Sequence, residues 1–197
     1  MYVGITGGIG SGKTTVADLF AENFSEAGAV VVHADELAHQ VLAVGSPLIP
    51  EVARAFGVEL VDDAGVLNRR ALGNIVFASP SKLKVLESLV HPEVARLARL
   101  ARDQAPSGSV VFYDVPLLVE KNMHEQFDQI LVVESPMDLR RERLIRRGLT
   151  LDEIDGRVGA QATDLERRAI ADFVIVNDAG LDRLADQVRN VWAALSA

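Results

Sequence analysis

The stretch Gly4-Ile5-Thr6-Gly7-Gly8-Ile9-Gly10-Ser11-Gly12-Lys13-Thr14-Thr15-Val16 decides the fold, with five glycines, one lysine and three threonines in thirteen residues. Glycine loses more conformational entropy on folding than any other residue, so a cluster this dense answers a backbone need. Residues 7–14 match G-x-x-x-x-G-K-[ST] throughout. The pattern requires a strand before it and a helix after it. Residues 2–6 (YVGIT) read as a short apolar strand. Residues 13–24 place Val16, Ala17, Leu19, Phe20 and Phe24 at the spacing of a helix with one buried face. In such a loop the backbone N–H groups turn inward around a phosphate, and the helix adds its positive N-terminal end. Gly10, Ser11, Gly12, Lys13, Thr14 and Thr15 form the expected cradle. Lys13 reaches the β- and γ-phosphates and the Thr14 hydroxyl ligates Mg²⁺. The run implies a nucleoside triphosphate.

Outward from the loop, strand and helix alternate. AVVVH at 29–33, SVVFYD at 109–114, QILVVE at 129–134 and DFVIVN at 172–177 are brief apolar runs, as expected for parallel strands covered on both faces. The pattern predicts an α/β fold with a five-stranded parallel sheet. Residues 47–105 break the rhythm. They read as mostly helical, with a turn at VDDAGV and a long amphipathic stretch at 83–104 that Pro92 can kink. A helical insertion on a parallel sheet suits a second substrate site, or it is structural decoration.

Composition narrows the field. The chain has 197 residues and no cysteine, which excludes disulfides, thiolate metal sites and a catalytic thiol. A net charge of −8 argues against generic nucleic-acid binding. No run is long and apolar enough to span a bilayer, and the first residues lack a secretory pattern, so a cytoplasmic location is expected. Five arginines, at 140, 141, 143, 146 and 147, fall within eight residues. Such a block is a solvated helix face unless something anionic must be covered.

What is missing sorts the loop's possible functions. The N-K-x-D run of guanine-specific proteins does not occur, and the D-x-x-G at Asp62–Gly65 lies inside the helical insertion. A small-molecule kinase needs a carboxylate near the acceptor hydroxyl, an acceptor pocket and cations over the transferring group. Asp35 follows the second strand, where the ligand crevice of an open α/β sheet lies. It can take the acceptor's proton or simply cap a helix. Asp114 ends the third strand at the same topological address, and can hold Mg²⁺ through water or share the base role. His91 is the histidine best placed to serve the insertion.

These residues carry a resemblance to the bacterial dephospho-CoA kinase family over nearly the whole chain. The matching segments are Thr6 to Thr15, Ala34-Asp35, Arg69-Arg70-Ala71-Leu72, His91-Pro92 and Asp114-Val115-Pro116-Leu117-Leu118-Val119-Glu120. Gln161-Ala162 and Ala171-Asp172 with Asn177 and Gly180 complete the set. The family's D-A-D segment has His33 in first place here, and the region around Arg147-Gly148-Leu149-Thr150 is one residue shorter than the usual lid. The resemblance implies transfer of the ATP γ-phosphoryl group to the ribose 3′-hydroxyl of dephospho-CoA, the last step of CoA synthesis. It implies one P-loop kinase domain over 1–197, a three-layer fold, an acceptor subdomain at 47–105 and an Arg-rich lid at 136–170. Asp35, Lys13 and Arg143 are then catalytic. Arg147, Asn177 and Gly180 join the loop in holding ATP. Asp35, Arg69, His91, Asp114, Leu117, Leu118 and Glu120 face the acceptor, and Thr14 and Asp114 hold Mg²⁺. Arg143 and Arg147 match the lid arginines best. The partners expected are small molecules, with no nucleic acid or membrane, and a monomer rather than a stable oligomer. The alternatives are a kinase for another small hydroxyl acceptor and an ATP-binding switch without a metabolite substrate.

Overall fold

The structure is a computed structural model that describes residues 1–196. These residues form two compact units, one of Met1–His33 with the chain from Ala105 onward, the other of Ala34–Gln104.

The first unit opens with β1 (Tyr2–Thr6), α1 (Lys13–Phe24) and β2 (Ala29–His33). The second holds α2 (Ala34–Gln40), α3 (Ile49–Phe56), α4 (Arg69–Phe77) and α5 (Pro80–Gln104). The chain then returns to the first unit with β3 (Val110–Asp114), β4 (Gln129–Glu134), α6 (Met137–Arg146), α7 (Leu151–Gly159) and α8 (Asp164–Ala169). It finishes with β5 (Phe173–Val176) and α9 (Leu181–Leu195).

All five strands are parallel, in the order β2-β3-β1-β4-β5. The glycine run therefore leaves the central strand, and β3 lies beside it. Ile5 and His33 both pair with Asp114, so these strands end at the same level of the sheet. Burial explains the strand sequences. Every residue of β3 is buried, and the inner strand β4 is buried at its four central positions, which suits their continuous apolar runs. The edge strands β2 and β5 are more exposed.

On one face Val3 and Ile5 of β1 pack with Val16 and Phe20 of α1 and with Leu184 and Val188 of α9. The Phe20 ring stacks on Phe112 at 4.1 Å, and Phe24 stacks on Trp192 at 4.8 Å. The fully buried Phe20 and Phe112 rings each contribute roughly 1.5–3 kcal/mol by leaving water. On the other face, the approach of Leu118 and Phe127 leaves no room for a side chain at Gly4. Helices α7 and α8 start at matching capping boxes, Thr150 with Glu153 and Thr163 with Glu166. In each the threonine accepts from the glutamate's N–H while the glutamate accepts from the threonine's, which satisfies two orphan donors.

The second unit has its own apolar core, built from Ile49 and Val52 of α3, Leu72 and Val76 of α4, and Leu60 and Leu67 of the connection. The segment 61–66 is a turn in which the Asp62 carboxylate accepts from the N–H groups of Ala64 and Val66. Helix α5 continues through Pro92 as one element. The segment 47–105 lies almost wholly within this unit, which also takes in α2.

Candidate functional site

The loop between β1 and α1 is shaped by what holds its outer side. Gly12 has φ of +94°, a left-handed conformation that costs other residues roughly 1–2 kcal/mol. A side chain there would also strike the Asn177 amide. Gly8 is needed for a different reason, since the Arg140 guanidinium lies where its Cβ would stand.

Three successive carbonyls of the loop are drawn outward by donors. Ile9 O accepts from Arg140 Nε at 2.8 Å. Gly10 O accepts from Arg143 at 3.2 Å. Ser11 O accepts from Asn177 Nδ2 at 2.8 Å, with Arg143 adding a contact at 3.4 Å. A trans peptide is planar, with its C=O and N–H pointing in opposite directions. Pulling the carbonyls of Ile9 and Ser11 outward therefore turns the N–H groups of Gly10 and Gly12 inward. The first-turn N–H groups of α1, which no helix satisfies internally, extend the same cradle. This is a site for an anion with several oxygens.

Beside the cradle the Thr14 hydroxyl donates to Asp114 Oδ2 at 3.2 Å. Asp114 is buried, and its Oδ1 has no hydrogen-bond partner in the protein. A buried carboxylate oxygen without a partner is expensive, so this one is a ligand waiting for a donor or a cation. Oxygen donors from a hydroxyl and a carboxylate are the set that Mg²⁺ prefers alongside phosphate. His33, which stands where the family pattern has aspartate, lies between two carboxylates, 3.4 Å from Asp18 and 3.5 Å from Asp114.

The arginine block divides by partner. Arg140 is almost fully buried, and burial pushes its guanidinium below its usual value, with Asp164 opposing that shift and Arg167 adding to it. Arg143 donates to Gly10, Ser11, the Ser135 hydroxyl, and both the carbonyl and Oδ1 of Asn177. Arg141 pairs with Asp155 and Arg146 with Glu142. Arg147 is exposed where α6 ends. Arg140 and Arg143 thus hold the loop's shape, while Arg147 has a position from which it can reach outward.

The other expected residues fall into distinct groups. Leu117 is exposed, whereas Leu118 is fully buried beneath β1. Glu120 accepts from the Ala162 N–H at 2.7 Å and faces Arg167, so it joins two segments of the framework. Asn177 is buried as a brace on the loop. Gly180 caps α9 with φ of −68° and open space around it, so neither backbone strain nor packing requires glycine there. Asp35 is exposed in the first turn of α2, inside the helix rather than at its cap. Within the second unit a cavity of about 350 Å³ is lined by Arg69, His91, His39, Leu72, Phe77 and Leu86, among others. Arg69 is fixed there by donating to the His39 carbonyl at 2.6 Å.

Sequence reasoning did not single out Arg167, the largest fully buried side chain, or Gln161 beyond its place in a motif. Gln161 Oε1 accepts from the Ile9 N–H at 2.8 Å. No metal cluster of three or more His, Cys, Asp or Glu exists among the described residues, nor is any described helix long and apolar enough to cross a membrane.

Residues 1–183 match the family model described as dephospho-CoA kinase. A dephospho-CoA kinase of Streptomyces avermitilis is 43% identical over 99% of this chain and 94% of its own. A crystal structure of a Thermus thermophilus protein superposes with a TM-score of 0.80 and 36% identity, covering 100% of this chain and 98% of that one. The dephospho-CoA kinase of Campylobacter jejuni has the same fold, with a TM-score of 0.73 at 23% identity over 99% and 96% of the two chains.

Proposed function

The chain belongs to the dephospho-CoA kinase family, and from that premise we propose that it transfers the γ-phosphoryl group of ATP to the ribose 3′-hydroxyl of dephospho-CoA. The products are CoA and ADP, and the step closes CoA synthesis. The observation that carries the donor half is the cradle whose carbonyls are turned outward by Arg140, Arg143 and Asn177.

ATP's β- and γ-phosphates lie against the N–H groups of Gly10, Gly12, Lys13, Thr14 and Thr15, and the Lys13 side chain offsets their charge. Thr14 and Asp114 fit Mg²⁺, which when bound to the triphosphate draws charge from its oxygens. Asp35 takes the proton as the 3′-oxygen forms its bond to the γ-phosphorus. The bond from that phosphorus to the β–γ bridging oxygen breaks, and its electron pair leaves with ADP. Asp35 suits the base role better than Asp114, because Asp35 is exposed while Asp114 is committed to Thr14 and faces His33. Arg147 covers the charge that spreads in the transition state, and Arg143 contributes through the loop carbonyls and Asn177.

Gly180 serves adenine. Its glycine has no local reason, which supports close approach by a ligand. Asn177 shares that task only through its backbone surroundings, since its side chain braces the loop. Arg69 and His91, in the cavity of residues 34–104, hold dephospho-CoA, and the exposed Leu117 side chain serves the same substrate. Residues 136–170 act as the lid. The enzyme works as a cytoplasmic monomer on two small-molecule substrates.

The test is ADP release from ATP and Mg²⁺ with dephospho-CoA, AMP and shikimate offered separately. Stimulation by dephospho-CoA alone is expected. Stimulation by another acceptor, or by none, overturns the proposal.

A further inference from the structure

Two successive peptide groups of the phosphate loop are each held at a defined end by residues far away in sequence. The Gly8–Ile9 peptide donates its N–H to Gln161 Oε1 at 2.8 Å, while its carbonyl accepts from the Ser11 N–H at 3.0 Å. The Ile9–Gly10 peptide gives its carbonyl to Arg140 Nε at 2.8 Å. With both neighbouring planes held, Ile9 has neither φ nor ψ free to change. Gly10, which has φ of +78° and intrinsic freedom to rotate, is thereby presented in one orientation.

The partners of Ile9 are themselves joined. Ala162, next to Gln161, donates to Glu120 at 2.7 Å, and Glu120 lies 3.6 Å from Arg167. Arg167 donates to Asp164 at 3.0 Å, Asp164 faces Arg140 at 3.4 Å, and Arg140 returns to Ile9. The path closes on itself. It runs from the loop through the start of α6, through α8 and through the segment after β3. Two nearly inaccessible guanidinium groups lie on it, Arg140 at 3% and Arg167 at 1% exposure. Buried arginines are costly, and for Arg140 the circuit offsets that cost with the Ile9 carbonyl and Asp164. For Arg167 it does so with the Asp164 bond and the nearby Glu120 charge, while Nε and Nη2 of Arg167 have no hydrogen-bond partner among the described residues.

We propose that Gln161 is a positioning residue for phosphoryl transfer, which fixes the Gly8–Ile9 peptide so that the loop's N–H groups meet the transferring phosphate in one geometry. Among the described residues it is the side-chain acceptor of this circuit that touches the loop, where Arg140, Arg143 and Asn177 are donors. Without it the Gly8–Ile9 peptide keeps only the Ser11 bond and can rotate, carrying Gly8 O away from Ser11. The inference rests on the kinase reading above.

The test compares Gln161→Leu and Gln161→Glu with the unaltered enzyme, by steady-state kinetics and by amide hydrogen exchange at Ile9. Gln161→Leu removes the acceptor at similar volume. It is expected to lower kcat about tenfold, the scale of one hydrogen bond realised in the transition state. KM for dephospho-CoA stays unchanged and Ile9 exchange quickens about tenfold. Gln161→Glu keeps an oxygen at the same reach, so Ile9 stays protected and kcat stays within about threefold, while its charge raises KM for ATP. Normal kcat in Gln161→Leu overturns the inference. Should that variant not fold, a collapsed kcat in Gln161→Glu with Ile9 still protected overturns it too. Failure of the kinase reading is distinguishable, because the unaltered enzyme would then show no dephospho-CoA-dependent turnover.

Discussion

Replacing Asn177 with alanine separates two accounts of that residue, a brace for the phosphate loop and a wall of the adenine pocket. The side chain is 8% exposed and makes two bonds that alanine cannot, Nδ2 to Ser11 O at 2.8 Å and Oδ1 from Arg143 at 3.2 Å. A neutral bond contributes about 1 kcal/mol and one to a charged donor about 1.5–3 kcal/mol. The second is discounted to about 1 kcal/mol, because Arg143 retains the Asn177 carbonyl at 3.2 Å and is partly solvated. The total, about 2 kcal/mol, corresponds to a fall in Tm of roughly 4–8 °C for a chain of this size. The backbone bond from Asn177 N to Glu134 O at 2.8 Å survives, so the fold should persist. With Ser11 O released, Gly12 N–H loses its direction, and affinity for the triphosphate should fall about tenfold. Calorimetric melting and titration with ATP and GTP read both effects. A brace weakens the two nucleotides in proportion, whereas an adenine wall weakens ATP alone. A Tm within about 1 °C of the unaltered protein, together with unchanged ATP affinity, refutes the reasoning.

Other perturbations test other parts. Asp35→Asn should abolish most turnover with ATP binding unchanged; near-normal turnover would make Asp35 a helix residue only. Asp114→Asn should raise the Mg²⁺ needed for half-maximal rate about tenfold, as one charged ligand is lost, and an unchanged Mg²⁺ titration counts against the Thr14–Asp114 pair as the metal site. Glu153 and Glu166 are held below the usual glutamate range, first by the backbone N–H and then by the hydroxyl of Thr150 and Thr163. Folding thus favours their charged forms, so their stabilisation is complete above the unfolded-state value and is lost as pH falls through the lowered folded-state one. The Glu153→Gln/Glu166→Gln double variant should therefore lose less Tm than the parent between about pH 6 and pH 3. An identical slope would show that the capping boxes do not contribute.

Local pattern made most of the fold legible. The strands at 2–6 and 129–134 coincide with the apolar runs, because inner strands covered on both faces need unbroken apolar sequence, and the edge strand at 29–33 coincides with its run as well. The glycine run revealed the cradle, since its backbone demand leaves a mark in composition. What supports the cradle was hidden. Arg140, Arg143, Asn177 and Gln161 meet the loop through backbone atoms, across separations of more than a hundred residues. Any residue type can supply a carbonyl or an N–H, so such bonds leave no signature in the partner's sequence. The arginine block looked uniform for the same reason, although burial and partners give Arg140, Arg143 and Arg147 different tasks. Leu118 and Glu120 sit in one matched segment with Leu117, yet the turns that follow β3 place Leu118 in the core and Glu120 against the Ala162 N–H.

Determining where the phosphate arrives tests the central claim most directly. Product formed from ATP, Mg²⁺ and dephospho-CoA should be resolved by phosphorus and proton NMR. The account predicts one new phosphomonoester, coupled to the ribose 3′ proton, in step with ADP. A phosphate on any other oxygen, or ADP accumulating with dephospho-CoA unaltered, would contradict it.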